Sequence, residues 1–167
     1  MDTISKRASD LLEKYEMTNA FIDLEKICKE LGINIHIMNI DPLEKKHGRQ
    51  ISGALFIADG RKDIIVNEKD VPERQRFTIA HELGHYFLHH DSNSETDAII
   101  SFRGERNNLE FQADQFAAEL LMPPGRLKEE YKKLSVPSIS ALAKKFNVSN
   151  AAMHYRLDTL GMDYIRL

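Results

Sequence analysis

The chain has 167 residues, enough for one domain with its own core, or for one domain with a small appendage. Its 42% hydrophobic and 29% charged residues and net charge of −3 match an ordinary globular protein and single out neither nucleic acid nor an anionic membrane as a partner. Cys28 stands alone, so an internal disulfide is excluded, and no stretch is long and apolar enough to span a bilayer. The first residues, MDTISKRASD, lack the apolar run of a signal peptide, so a cytoplasmic address is expected.

Thr3 is expected to cap a first helix whose apolar face carries Ile4, Ala8, Leu11, Leu12 and Tyr15. A second helix should run from about Ala20 to Leu31 and stop at Gly32, with Cys28 as a small core residue. Ile33–Ile40 (INIHIMNI) alternates apolar and polar residues and reads as a half-buried strand, with His36 solvent-facing or locally satisfied. Asp41–Gln50 holds Pro42, Gly48 and a solvated Lys45-Lys46-His47 run, and reads as a loop. Gly53–Ala58 and Asp63–Asn67 flank Asp59-Gly60-Arg61, the pattern of a β-hairpin. A small antiparallel sheet is therefore expected, and an edge strand of it could take up an extended peptide.

A helix then starts at Asp70, with Pro72 and Glu73 in its first turn, and runs to about His90. Its stretch Phe77–His90 reads FTIAHELGHYFLHH, so His81, Glu82 and His85 form H-E-x-x-H. Positions i and i+4 of a helix lie about 40° apart around the axis and about 6 Å along it, so two imidazoles there can reach one metal ion. Glu82 then stands close enough to act as general base toward a water on that metal. Such a motif arises by chance in roughly one chain in forty, so its surroundings decide its weight. Ala80, Leu83 and Gly84 mark this helix as buried, and a glycine lets another segment approach closely. Two histidines and a glutamate buried there without a partner would be costly, and a metal removes that cost. His89 lies one turn further on, about 12 Å of helix rise from His81, too far to share the ion. His89 and His90 read as cleft-lining or exposed.

Asp91–Asn108 is a long polar loop with room for a short strand around Ile99, Ile100 and Phe102. The next strong helix is Asn108–Met122, ended by Pro123-Pro124-Gly125. A catalytic zinc takes three protein ligands and keeps one position open. Glu110 is the natural third ligand, and Asp114, one turn on, can accept a hydrogen bond from the free ring nitrogen of a zinc-bound histidine. The set is thus Zn2+ on His81, His85 and Glu110, with Glu82 as base for attack of water on a peptide carbonyl. Tyr86, His89 and Arg103 are candidates for an oxyanion helper by sequence proximity alone.

Arg76–Leu88 (RFTIAHELGHYFL) followed by Glu110–Pro123 (EFQADQFAAELLMP) resembles the ImmA/IrrE family of metallopeptidases. The family pattern is R-F-T-x-A-H-E-x-G-H, then E-x-x-A-[N/D]-x-F-A-x-x-L-L-M-P, and both blocks stand nearly whole. The resemblance is strong over Ile51–Pro123 and loose beyond. It implies a gluzincin-type intracellular protein of bacteria, phages and mobile elements, with zinc at His81, His85 and Glu110 and Glu82 as base. It also implies a substrate class, helix-turn-helix repressors of the XRE type, cleaved once to relieve repression of a prophage, a mobile element or a stress response.

Toward the C-terminus, Leu142 and Phe146, then Met153, Leu157 and Leu160, mark two short amphipathic helices around a tight turn, the second capped by Ser149. The pair is helix-turn-helix-like. Residues 125–167 hold eight Lys/Arg against four Asp/Glu, but of these cations only Arg156, with His154 nearby, falls on the second helix. A structural or partner-binding role is favoured over DNA binding. The expected fold class is α+β: residues 1–124 form a small antiparallel sheet packed on a zincin-like metal helix, and residues 125–167 form a helical segment packed on it. The expected function is a zinc endopeptidase for a protein substrate. The alternative is a non-catalytic zincin-fold regulator that binds DNA or a partner protein. No membrane partner is expected.

Overall fold

The structure is a computed structural model that describes residues 1–90 and 94–165. It is α+β, with helices α1 (Thr3–Lys14), α2 (Leu24–Glu30), α3 (Asp41–His47), α4 (Pro72–Leu88), α5 (Asn108–Leu121), α6 (Pro124–Lys132), α7 (Ile139–Phe146) and α8 (Asn150–Thr159), and strands β1 (Ile33–Met38), β2 (Ile51–Ala58), β3 (Arg61–Asn67) and β4 (Thr96–Phe102). Residues 23–117 form one compact unit, and residues 1–22 with 118–167 form another.

In the first of these units, α2 starts later than its apolar pattern implies because Asp23 caps it, accepting from the Lys26 N–H at 3.0 Å. It ends at Glu30 with Leu31 as its C-cap, and Gly32 takes a positive φ of 67°. The sheet has the order β1-β3-β2-β4. β2 pairs antiparallel with β3 and with β4, as the hairpin pattern implies. The hairpin turn places Asp59 and Gly60 at positive φ, 51° and 75°. The sheet is nevertheless mixed rather than antiparallel, because β1 pairs parallel with β3. The chain returns from β1 in β2 two positions away, and the hairpin then folds β3 into the gap. Strand alternation records which face a residue takes and nothing of this direction.

The segment read as a loop between β1 and β2 is helix α3. Pro42 stands in its first turn, Asp41 and Glu44 face the positive end of the dipole, Lys45, Lys46 and His47 face the negative end, and Gly48 closes it at φ 63°. The charge run is a dipole-matched helix end. Glu44 also reaches the start of β2, accepting from the Ile51 N–H at 2.9 Å.

β2 lies in the centre of the sheet and is covered on both faces: adjacent Ala54 and Leu55 are each 0% exposed. α4 packs across β2 and β3. It begins at Pro72, two residues after Asp70. Asp70 instead receives the Arg103 guanidinium, one nitrogen lying 3.1 Å from each carboxylate oxygen. β4 fills part of the long polar segment and forms one edge of the sheet, with β1 at the other.

In the second unit, Asp2 rather than Thr3 caps α1, accepting from the Ser5 N–H at 2.8 Å. Pro124, expected only to terminate α5, also starts α6. Ser138 caps α7 and Ser149 caps α8, and Asn147 between them adopts the left-handed conformation at φ 52°. Leu127, Leu142, Phe146, Met153 and Leu157 are fully buried. Arg156 is buried too. It donates to the Met122 carbonyl at 3.0 Å and meets both oxygens of Glu119 at 2.9 Å. Among the described residues, no helix is long and apolar enough to cross a membrane.

Candidate metal centre

The middle of α4, from Thr78 to His85, is buried throughout, which explains why apolar and small residues surround its polar ones. His81 is 8% exposed, Glu82 0% and His85 1%. One helical turn separates the two histidines, and their Nε2 atoms lie 3.1 Å apart. Glu110 joins them from the first turn of α5, where the Asn107 side chain accepts from the Glu110 N–H at 2.9 Å. Glu110 Oε2 is 3.0 Å from His81 Nε2, and Oε1 is 3.0 Å from His85 Nε2.

The approach of α5 depends on Gly84. A Cβ there would lie 3.0 Å from both the Cα and the carbonyl oxygen of Ala113. The missing side chain lets the two helices touch backbone to backbone, and so brings Glu110 and Asp114 against His81. Asp114 Oδ1 accepts from His81 Nδ1 at 2.7 Å, which leaves Nε2 to face the cluster.

Four ligands set tetrahedrally at about 2.0–2.1 Å from a zinc ion stand about 3.3 Å from one another. Here the two imidazole nitrogens lie 3.1 Å apart, each is 3.0 Å from one of the two Glu110 oxygens, and one ligand atom from each residue falls within 4.8 Å of the others. Two nitrogen lone pairs and an anionic oxygen aimed at one point repel unless a cation or protons lie between them. The donor set therefore fits a metal ion.

The electrostatics agree. Burial opposes charge on His81, but the Asp114 and Glu110 carboxylates outweigh it and hold the imidazole pKa up to about 10. Burial would raise Glu110, yet hydrogen bonds from His81 and His85 bring it to about 2. The cluster thus demands positive charge. Glu82 behaves differently: burial lifts it to about 7, partly offset by His81, His85 and the nearby Ser101 hydroxyl. Neither of its carboxylate oxygens has a geometrically defined hydrogen bond among the described residues. Glu82 packs against Gly53 of β2, whose absent Cβ would fall 3.0 Å from Oε1 and 2.5 Å from Thr78 Cγ2. A buried carboxylate whose pKa burial raises, and which lacks a geometrically defined hydrogen bond, is suited to take and return a proton.

A cavity of about 230 Å³ opens beside the cluster, lined in part by Phe77, His81, Ser101, Phe102, Arg103 and Glu110. Of the three sequence candidates for an oxyanion helper, only Arg103 lines it. The Tyr86 hydroxyl meets Lys62 Nζ at 3.2 Å and its ring stacks on His90. His89 stands behind His85, with Nδ1 2.7 Å from His85 Nδ1 and Nε2 2.9 Å from Gln112 Oε1. Burial lowers its pKa, so a neutral ring is favoured. Sequence reasoning missed this partnership and those of Gly53, Ser101 and Gln112. The i+4 spacing of His89 from His85 was the available signal, and Gln112 carried none.

The sequence profile of the IrrE N-terminal-like domain, a peptidase family, matches residues 28–158. The chain belongs to this family. It is similar to Metallopeptidase ImmA of Bacillus subtilis, 31% identical over 112 residues, which are 67% of this chain and 66% of that protein. It is also similar to the Radiation response metalloprotease IrrE of Deinococcus radiodurans, 35% identical over 56% of this chain and 30% of that protein. The IrrE of Deinococcus deserti is 32% identical over 66% of this chain and 44% of its own length. The chain thus spans two thirds or less of each of these relatives. Membership of a family whose relatives are named metallopeptidases implies a metal, and the convergent donors of α4 and α5 are suited to hold one.

Proposed function

We propose that the protein is a zinc-dependent endopeptidase in which His81, His85 and Glu110 hold the metal and Glu82 is the general base. The observation that carries this reading is the convergence of His81, His85 and Glu110, whose ring nitrogens lie 3.1 Å apart and each 3.0 Å from one Glu110 oxygen, beside a fully buried carboxylate without a geometrically defined hydrogen bond. When bound, the ion would supply Lewis acidity to a water molecule and to the scissile carbonyl. Glu82 takes the proton of the attacking water and returns it to the leaving amine. Asp114 holds His81 through Nδ1, so that Nε2 stays directed at the cluster. Arg103, anchored by Asp70, lines the cavity and is the candidate to stabilise a polarised carbonyl there.

The substrate is a protein. The edge strand β4 ends in Ser101 and Phe102 at the cavity, with Arg103 just beyond it, so a peptide lying in extended form along that edge would reach the metal cluster. A helix-turn-helix repressor of the XRE type is the proposed target, in a cytoplasmic setting, with cleavage relieving repression. The family resemblance supports this target, and the relatives' printed names support the peptidase activity alone. The DNA-binding alternative loses support from α8. Its one Lys or Arg, Arg156, is buried against Glu119, and His154 faces Asp158 at 3.3 Å and the Tyr164 ring.

Zinc titration of the purified chain tests the reading. One equivalent should bind to the wild type, and His81→Ala, His85→Ala and Glu110→Ala should each lose it while remaining folded. A chelator should abolish cleavage and added zinc should restore it. Stoichiometric zinc retained by all three variants would contradict the assignment.

A further inference from the structure

We infer that His89 and Gln112 form a hydrogen-bonded relay that fixes the tautomer and ring plane of His85, and that both are positioning residues for the metal centre. The inference rests on the proposed metal-binding role of His85.

The argument follows from proton placement. His85 Nε2 faces His81 Nε2 at 3.1 Å and Glu110 Oε1 at 3.0 Å, so a lone pair is needed there to bind a cation. Its proton must then lie on Nδ1, where it needs an acceptor. The atom 2.7 Å away is another imidazole nitrogen, His89 Nδ1. An imidazole accepts at Nδ1 only when its own proton is on Nε2. His89 Nε2 lies 2.9 Å from Gln112 Oε1, a carbonyl oxygen that can only accept. One direction satisfies every atom: His85 Nδ1–H donates to His89 Nδ1, and His89 Nε2–H donates to Gln112 Oε1. The opposite direction would put a proton on His85 Nε2, inside the cluster.

The i, i+4 spacing explains how His89 reaches this position. It is the C-cap of α4, with φ −124° and ψ −12°, and its N–H still bonds the His85 carbonyl at 2.8 Å. Its ring lies 4.9 Å from the His85 ring, much as His81 lies 4.8 Å from His85 within the helix. Gln112 comes from α5, which also supplies Glu110 and Asp114. The two histidines of the cluster are therefore held differently. His81 leans on a carboxylate, whereas His85 leans on a neutral chain. Glu82, Glu110 and Asp114 already place three carboxyl groups around the site, and a neutral acceptor orients His85 without adding a fourth.

The test uses the full chain. Zinc affinity is measured by competition with a chromophoric chelator for wild type, His89→Ala, His89→Asn and Gln112→Ala. The tautomer of His85 in the zinc-loaded protein is read by 15N NMR. His89→Ala should weaken zinc binding about 10- to 100-fold and abolish the protected Nδ1–H signal of His85. His89→Asn should recover most of both, because the asparagine Oδ1 can accept where His89 Nδ1 did. Gln112→Ala should give a smaller loss in the same direction. Wild-type affinity and an unchanged His85 signal in a folded His89→Ala protein would overturn the relay, as would a folded His89→Asn protein that binds no better than His89→Ala. If His89→Ala does not fold, Gln112→Ala decides: unchanged affinity and tautomer overturn the inference. A folded wild type that binds no zinc would instead overturn the metal-centre reading, and the relay with it.

Discussion

The Cβ that Gly84 lacks would lie 3.0 Å from the Cα and from the carbonyl oxygen of Ala113. That contact joins the helix carrying His81 and His85 to the one carrying Glu110 and Asp114. Replacing Gly84 by alanine would force buried backbone apart, since no flexible side-chain end is there to give way. Gly84→Ala should destabilise the fold by about 1–3 kcal/mol and weaken zinc binding. Thermal unfolding and zinc titration check this. Gly125→Ala is the control: nothing lies within 4 Å of its Cβ and it sits in α6. It should leave stability unchanged or slightly raised.

Arg156 closes the last turn of α5 at Met122 and pairs with Glu119 at 2.9 Å, while only 3% exposed. Removing it strands a largely buried carboxylate and an unsatisfied carbonyl. Arg156→Ala should therefore cost about 3–5 kcal/mol in urea unfolding. Glu119→Gln combined with Arg156→Met should cost less than the two single changes together, because both charges leave at once. A stability loss within 0.5 kcal/mol for Arg156→Ala, roughly that of an ordinary surface change, would contradict this account.

Burial, aided by Glu25, pushes the Cys28 thiol up to about 12. A raised thiol pKa keeps the group protonated, and the thiol is not the nucleophilic form. Native protein at pH 8 should react with iodoacetamide far more slowly than unfolded protein, and the rate should follow global unfolding in urea. Rapid native labelling would show that the helix α2 opens locally.

Legibility in the sequence varied with the range of the interaction behind each feature. The i, i+4 spacing of His81 and His85 is a property of one helix, and it is expressed as such. Glu110 and Asp114 repeat on one face of the next strong helix, and the structure brings both to His81. Gly84 was legible as a place of close approach, though not its partner Ala113. Features set by non-local pairing were opaque. The parallel pairing of β1 with β3 depends on where the hairpin folds in, which INIHIM does not encode. The compact unit that joins residues 1–22 to residues 118–167 pairs segments far apart in the chain. α3 was misread for another reason: Pro42 and Gly48 punctuate loops and helix ends alike, and its apolar content is too low to show a periodic face. Helix starts moved to Asp2 and Asp23 because aspartate caps compete with the apolar pattern. His89 lies too far from His81 to share the ion, and only its i, i+4 spacing from His85 signals their partnership.

The most direct test of the central claim is a cleavage assay with the proposed substrate, a helix-turn-helix repressor of the XRE type. Zinc-loaded wild type and Glu82→Gln are compared, with metal content measured in both. The amide keeps the shape of the side chain but cannot take a proton at the attacking water. The account predicts one cut by the wild type, no cut by Glu82→Gln, and about one zinc per chain in each. Cleavage by Glu82→Gln at the wild-type rate, or by wild type stripped of metal, would contradict it.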